Sequence, residues 1–359
     1  MNRTRNSSTT TILAMIFTAA LLCGCGGIGA HSVARDRFDY TDAISSSWKQ
    51  QMLVNMVKLR YGDTPVFLDV VSVINQYALE AQVDVRWNWV DPVVTVGDSH
   101  TAGGAARYSD KPTITYAPLT GERFARSIMK PIPPPAVLSL IQAGYPVDIV
   151  LRVCTNSVNG IRNRYGGSAR ARPADPEFKP LLEALRRIQD AGGMGLRVRK
   201  TNETDATLLV LRDKGQRTAS VAQDVAFVRK TLGLDPAADT FSVAYGSVAR
   251  DDKELAILTR SMLEILVDLA SYIEVPPDDL RETRVGPTVP PDDAPLIRIQ
   301  SSPNAPPDTF VSVRYKNNWY WIDDRDPRSK TLFSFLMFLF SLTETESHEA
   351  APIVTIPAG

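Results

Sequence analysis

The chain has 359 residues, with 40 basic against 40 acidic side chains, a formal net charge of zero and 44% hydrophobic residues. That balance gives no electrostatic footprint for nucleic acid, while the apolar content supports an ordinary core of one large or two medium domains. Three histidines and three cysteines, none at metal-ligand spacing, give no zinc site and no disulfide framework, so no metal is assigned.

The N-terminus reads "MNRTRNSSTTTILAMIFTAALLCGCGG". Arg3 and Arg5 supply a positive start, and the apolar run from Ile12 to Leu22 is broken only by Thr18. A spanning helix needs roughly 18 or more apolar residues, so the run reads as the core of a signal peptide. Leu22-Cys23-Gly24-Cys25 then resembles the lipobox of bacterial lipoproteins, where a small residue precedes the acylated cysteine. The resemblance covers residues 1 to 25. It implies cleavage after Gly24, and a diacylglycerol and an N-acyl chain (palmitate among them) on Cys25 as the only added groups. Two acyl chains suffice for stable anchoring. Gly26 stands where an aspartate would signal retention at the inner membrane, which implies the outer membrane, with the protein facing the periplasm. Loss of the two arginines leaves 38 basic and 40 acidic residues, a mature charge of −2.

Residues 25 to 40 read as a tether and 41 to 160 as an N-terminal α+β domain. Trp48, Met52, Asn55, Met56 and Leu59 recur at helical spacing, with Thr41 or Asp42 as cap and Gly62 and Pro65 as stop. From Val73 to Trp89 the pattern changes to alternation. Tyr77, Leu79, Ala81, Val83, Val85, Trp87 and Trp89 take one face, and Gln76, Glu80, Gln82, Asp84, Arg86 and Asn88 the other. This predicts a strand much longer than the usual five or six residues. A Gly/Ser-rich loop follows, and "PTITYAPL" is the expected return strand. Trp87 and Trp89 at the far end suit an aromatic girdle.

Prolines 133 to 135 open a helix that Gly144 closes, and "VDIVLRVCTNSV" reads as a strand with Cys154 in the core. Residues 159 to 176 read as an interdomain loop. Arg162, Arg164, Arg170 and Arg172 lie there without an adjacent acid, a candidate grip on an anionic partner. A central α+β domain over 177 to 274 has a helix, a hairpin turning near 202 to 205, a second helix, a strand, and a long helix in "DDKELAILTRSMLEILVDLASYIEV". Residues 275 to 295 read as a Pro/Asp linker whose "PPDD" pairs are solvated or, alternatively, hold calcium. Residues 296 to 359 form a C-terminal hairpin, a buried apolar helix and a last strand, packing on the central domain. The sum is an α+β class of helices and antiparallel hairpins in two packed subdomains.

No Walker loop, GxGxxG or GxSxG occurs. Ser46-x-x-Lys49 and Ser127-x-x-Lys130 have the spacing of serine–lysine nucleophiles, but the companion SDN and KTG motifs are missing. No catalytic residue is therefore assigned. The first functional reading is a non-catalytic, lipid-anchored envelope protein that scaffolds or binds other envelope proteins or cell-wall components, with no nucleic acid. A second has residues 73 to 118 insert as a membrane hairpin, several copies closing one pore, as in lipoproteins of the curli-secretion type. A third is an envelope hydrolase.

Overall fold

A computed structural model describes residues 28–74, 77–87, 100–110, 113–167, 171–200, 205–211, 219–286 and 295–343. Cys25, Trp89, Arg170 and the expected C-terminal strand lie outside the described residues. The fold is α+β, and the chain divides into two units, Met1–Gln50 and Gln51–Gly359.

The first helix, α1, runs from Ile28 to Arg60. It begins inside the expected tether: past Gly29 that stretch has no glycine or proline, and a nucleated helix gains one hydrogen bond for each residue it adds. Within the larger unit Met52, Leu53, Met56 and Val57 are buried, and Gly62 at φ 73° ends the helix. Strands β1 (Leu68–Ile74), β2 (Tyr77–Trp87), β3 (His100–Asp110) and β4 (Thr113–Pro118) follow. Next come α2 (Gly121–Phe124), which continues as a π-helical turn to Met129, α3 (Pro134–Gln142) and α4 (Val147–Cys154).

The main sheet has six strands: β5 (Thr155–Val158), β6 (Ile161–Arg162), β7 (Met194–Lys200), β8 (Asp205–Leu211), β9 (Thr240–Tyr245) and β10 (Glu254–Thr259). Their order is β6-β5-β10-β9-β8-β7, and only β9 and β10 run parallel. Helices α5 (Phe178–Asp190) and α6 (Ala219–Leu232) pack on each other. Two further helices, α7 (Met262–Ala270) and α8 (Pro277–Arg281), lead to a three-stranded antiparallel sheet in the order β11-β13-β12. Its strands are β11 (Gln300–Ser302), β12 (Thr309–Tyr315) and β13 (Asn318–Asp323), and α9 (Pro327–Thr343) closes the described chain.

Several expectations are corrected. "VDIVLRVC" is helix α4, not a strand: Val147, Val150, Leu151 and Cys154 recur every three or four residues and are all buried. The expected long helix after residue 250 is strand β10 followed by α7. Ser261 and Glu264 form a reciprocal capping box that can only start a helix there. Residues 159 to 176 do not separate domains. Strands β5 and β6 share one sheet with β7 to β10, and one apolar core runs from Met52 to Leu339. The Gly/Ser-rich loop becomes strand β3 from His100 onward. The first part of the Pro/Asp linker is α8, whose Asp279 is buried and accepts a very short hydrogen bond from the Tyr61 hydroxyl. Helix α9 buries Leu332, Phe333, Phe335, Leu336 and Leu339 but leaves Phe338 and Leu342 over 40% exposed. No described helix is long and apolar enough to cross a membrane.

Candidate functional site

The ladder formed by β1 to β4 is the feature that ordinary packing explains least. β1 pairs with β4 and β2 with β3, both antiparallel, and neither pair is hydrogen-bonded to another described strand. The pair β1–β4 ends at Ile74 opposite Thr113, and β2–β3 begins at Tyr77 opposite Asp110, from which eleven consecutive pairs lead to Trp87 opposite His100. We refer to the two ladders together as the ribbon; among the described pairs a bulge lies between Val70 and Ser72.

Opposed residues share a face, so the register sorts the positions. Leu79 with Tyr108, Val83 with Gly104, Val85 with Ala102 and Trp87 with His100 stand on one side. Glu80 with Arg107, Gln82 with Ala105, Asp84 with Gly103 and Arg86 with Thr101 stand on the other. The small residues of β3 thus fall opposite the larger ones of β2. On β4, Ile114 and Tyr116 are 38% and 52% exposed. Trp87 is the last described residue of β2 and pairs with His100.

The three described loop arginines, Arg162, Arg164 and Arg172, are not gathered on one surface. Arg162 is exposed, but its backbone N–H and guanidinium both bond Asp175, the acid that a local reading of the loop overlooked. The Arg162 N–H is the main cause that holds the Asp175 carboxyl below the ordinary carboxylate range. Arg164 is buried instead and pairs with Asp268 on α7 at 3.4 Å. Arg172 is half-buried, and its Nε and Nη2 donate to the carbonyls of Asn163 and Asn156, each at 3.2 Å.

Arg164 belongs to a cluster that sequence reasoning did not find. Asp268, 1% exposed, also takes Arg260 Nη1 at 3.0 Å, Arg152 Nη1 at 3.3 Å and the Gly166 N–H. Arg260 is fully buried and spends its other donors on Asn156 Oδ1 and the carbonyls of Val153 and Arg164. Burial pulls its guanidinium below the ordinary arginine range, and Asp268 opposes the shift. The cluster ties the end of α4, the loop at 163–167, the end of β10 and α7 together. Gly166 and Gly167 permit this approach, since a Cβ at Gly166 would lie 2.0 Å from Ser271 Oγ and one at Gly167 2.5 Å from Val267 Cγ1. Charged residues inside otherwise apolar runs, Arg260 after "LAILT" and Asp268 within "LEILVDLA", were the signal available in the sequence.

Ser127 of the second Ser-x-x-Lys pair is buried, whereas Lys130 is exposed. Ser46 is exposed on α1. Cys154 is buried, and burial pushes its thiol up to about 12. Among the described residues no group of three or more His, Cys, Asp or Glu side chains is arranged to hold a metal ion. Comparison of the chain with known protein families, with curated proteins and with solved structures finds no match.

Proposed function

We propose that this is a lipid-anchored lipoprotein of the outer membrane, non-catalytic, whose folded framework presents the β1–β4 ribbon for assembly with further copies. In this reading the ribbons stand side by side and close a barrel that enters the bilayer. The lipobox-like segment ending at Cys25 supports the anchor. The observation that carries the assembly is the ribbon itself, with eleven unbroken pairs, an apolar and a polar side, and both outer edges unpaired among the described residues.

Three physical arguments favour assembly. A two-stranded ribbon is at best marginally stable in water without a third strand or a packed face. Unpaired edges recruit other strands. In lipid every backbone N–H and C=O must be satisfied, which leaves closure of a barrel as the one strand-based solution. Eleven residues also meet the length a spanning strand needs, about 9 to 11. The polar side, with Glu80 opposite Arg107, then faces the lumen, and the side holding Leu79, Val83, Val85 and Trp87 faces lipid.

The test is the mass of the acylated protein in detergent by light scattering, beside a variant lacking residues 72 to 118. A discrete ring that the deletion abolishes, followed by single-channel steps in planar bilayers, is the expected result. A monomer or dimer unchanged by the deletion ends the barrel reading and leaves an anchored scaffold.

A further inference from the structure

A second site lies elsewhere in the larger unit. At the C-terminal ends of the parallel strands β9 and β10, beside the first turn of α7, is a cleft of about 540 Å³. In sheets with parallel strands, ligands commonly bind beyond the carboxyl ends. We propose that this cleft binds an organic anion, a carboxylate or phosphate head carried on an apolar or aromatic body. The inference does not depend on the ribbon.

Two polar groups in the lining are left with unused bonding capacity. Thr259 is 1% exposed, and its hydroxyl has no hydrogen-bond partner among the described residues. A buried hydroxyl without a partner is uncommon in native proteins, because nothing offsets its lost hydration. Arg172 donates from Nε and Nη2 to backbone carbonyls, while Nη1 has no hydrogen bond among the described residues. A donor guanidinium and an unpartnered hydroxyl on two residues of one lining suit an acceptor-rich head group.

The electrostatics behind the lining favour negative charge. Asn156 and Tyr165 line the cleft, and Arg260 stands directly behind both, 3.1 Å from Asn156 Oδ1 and 5.4 Å from the Tyr165 ring centre. Glu264 is the acid in the lining, and it is already engaged. It accepts from the Ser261 N–H at 2.9 Å and from Asn156 Nδ2 at 3.3 Å, at the N-terminus of α7 where a carboxylate is stabilised. The body of the ligand would meet Leu263, Met129 and Tyr245, the last two 55% exposed. Inorganic phosphate would leave that surface uncovered, so an anion with an apolar body fits better.

The test is calorimetric titration of the acylated protein in uncharged detergent with phenyl phosphate, benzyl alcohol and inorganic phosphate. One phenyl phosphate per chain is expected, with benzyl alcohol silent and inorganic phosphate weaker by about tenfold or more. Thr259→Val and Arg172→Gln should each weaken phenyl phosphate by about tenfold. Thr259→Val removes an unpartnered hydroxyl at constant shape, so its melting temperature should match or exceed that of the parent, which separates lost binding from lost folding. A variant lacking residues 72 to 118 should bind unchanged. Tighter binding of dihexanoyl-phosphatidylglycerol than of phenyl phosphate supports the proposal with a lipid head group as the source, and the reverse order supports it with a soluble anion. Failure of every anion to bind at millimolar concentration overturns it, as does equal affinity in the parent and both variants.

Discussion

Asp268→Asn is the sharpest perturbation of the framework. Asparagine keeps the side-chain shape and a carbonyl for the Gly166 N–H, so no cavity forms and the change is one of charge. Three guanidiniums converge on that carboxylate: Arg260 with 0% side-chain exposure, Arg164 with 4% and Arg152 with 14%. Removing one partner of a buried pair costs about 3–5 kcal/mol, and with three cations sharing one acid the loss should fall at the upper end, about 4–5 kcal/mol. A folded domain has only about 5–15 kcal/mol in total, so about a quarter or more of it goes. Urea unfolding followed by tryptophan fluorescence reads this directly. With a slope of about 3 kcal/mol per molar, the midpoint should fall by about 1.5 M at unchanged slope. A fall below about 0.5 M would show that water or other groups neutralise these arginines, and the buried-cluster account would be wrong.

Three further outcomes follow from the same packing. Gly166→Ala places a methyl 2.0 Å from Ser271 Oγ and should destabilise by about 1–3 kcal/mol, whereas adding Ser271→Gly should recover part of the loss in the double-mutant cycle. Tyr61→Phe removes the hydroxyl that bonds Asp279 and Tyr320 and should cost about 1.5–3 kcal/mol by thermal unfolding, with no loss if water replaces it freely. With Cys23 and Cys25 replaced by serine, Cys154 should resist a thiol reagent at neutral pH and react only as the protein unfolds. Because folding raises this thiol from 9.0 to about 12, its contribution is fully present below pH 9 and is lost as pH climbs through that window. Rapid labelling of the native chain at neutral pH would contradict the burial.

How much of this was legible in the sequence varies with the range of the interaction. The β2 alternation was readable, because Tyr77, Leu79, Val83, Val85 and Trp87 repeat with period two. β3 was not, since "HTAGGAARYSD" has the composition of a loop and becomes a strand through its register with β2. Helix α4 was misread through its valines, although Pro146 before it and the spacing of Val147, Val150, Leu151 and Cys154 favoured a helix. The start of α7 was written in Ser261-x-x-Glu264 but hidden by the apolar run on either side. In the Asp268 cluster Arg260 is only eight residues away, whereas Arg152 and Arg164 come from 116 and 104 positions upstream. Asp175, which satisfies Arg162, lies in the same loop thirteen residues on. The pairings across a hundred residues have no local signal.

The ribbon's two faces provide the test that separates a barrel wall from a mere projection. Eleven residues at about 3.3 Å each span about 33–36 Å, and at a tilt of 35–45° they cover about 23–30 Å, a range that includes the apolar band of outer-membrane barrels, about 25 Å. If the faces matter, a change in length and a change in register must act differently. Deleting Gln82 alone moves Val83, Val85 and Trp87 to the polar side of everything beyond it. Deleting Ala81 and Gln82 together with Ala105 and Ala106, which the register places opposite them, preserves both faces and leaves nine pairs. Nine still falls within the length a spanning strand requires, about 9 to 11. The four-residue deletion should therefore assemble to the parent's mass in detergent and conduct, while the one-residue deletion should remain unassembled. Equal behaviour of the two would mean that the ribbon supplies reach rather than faces, and a barrel cannot be built from reach.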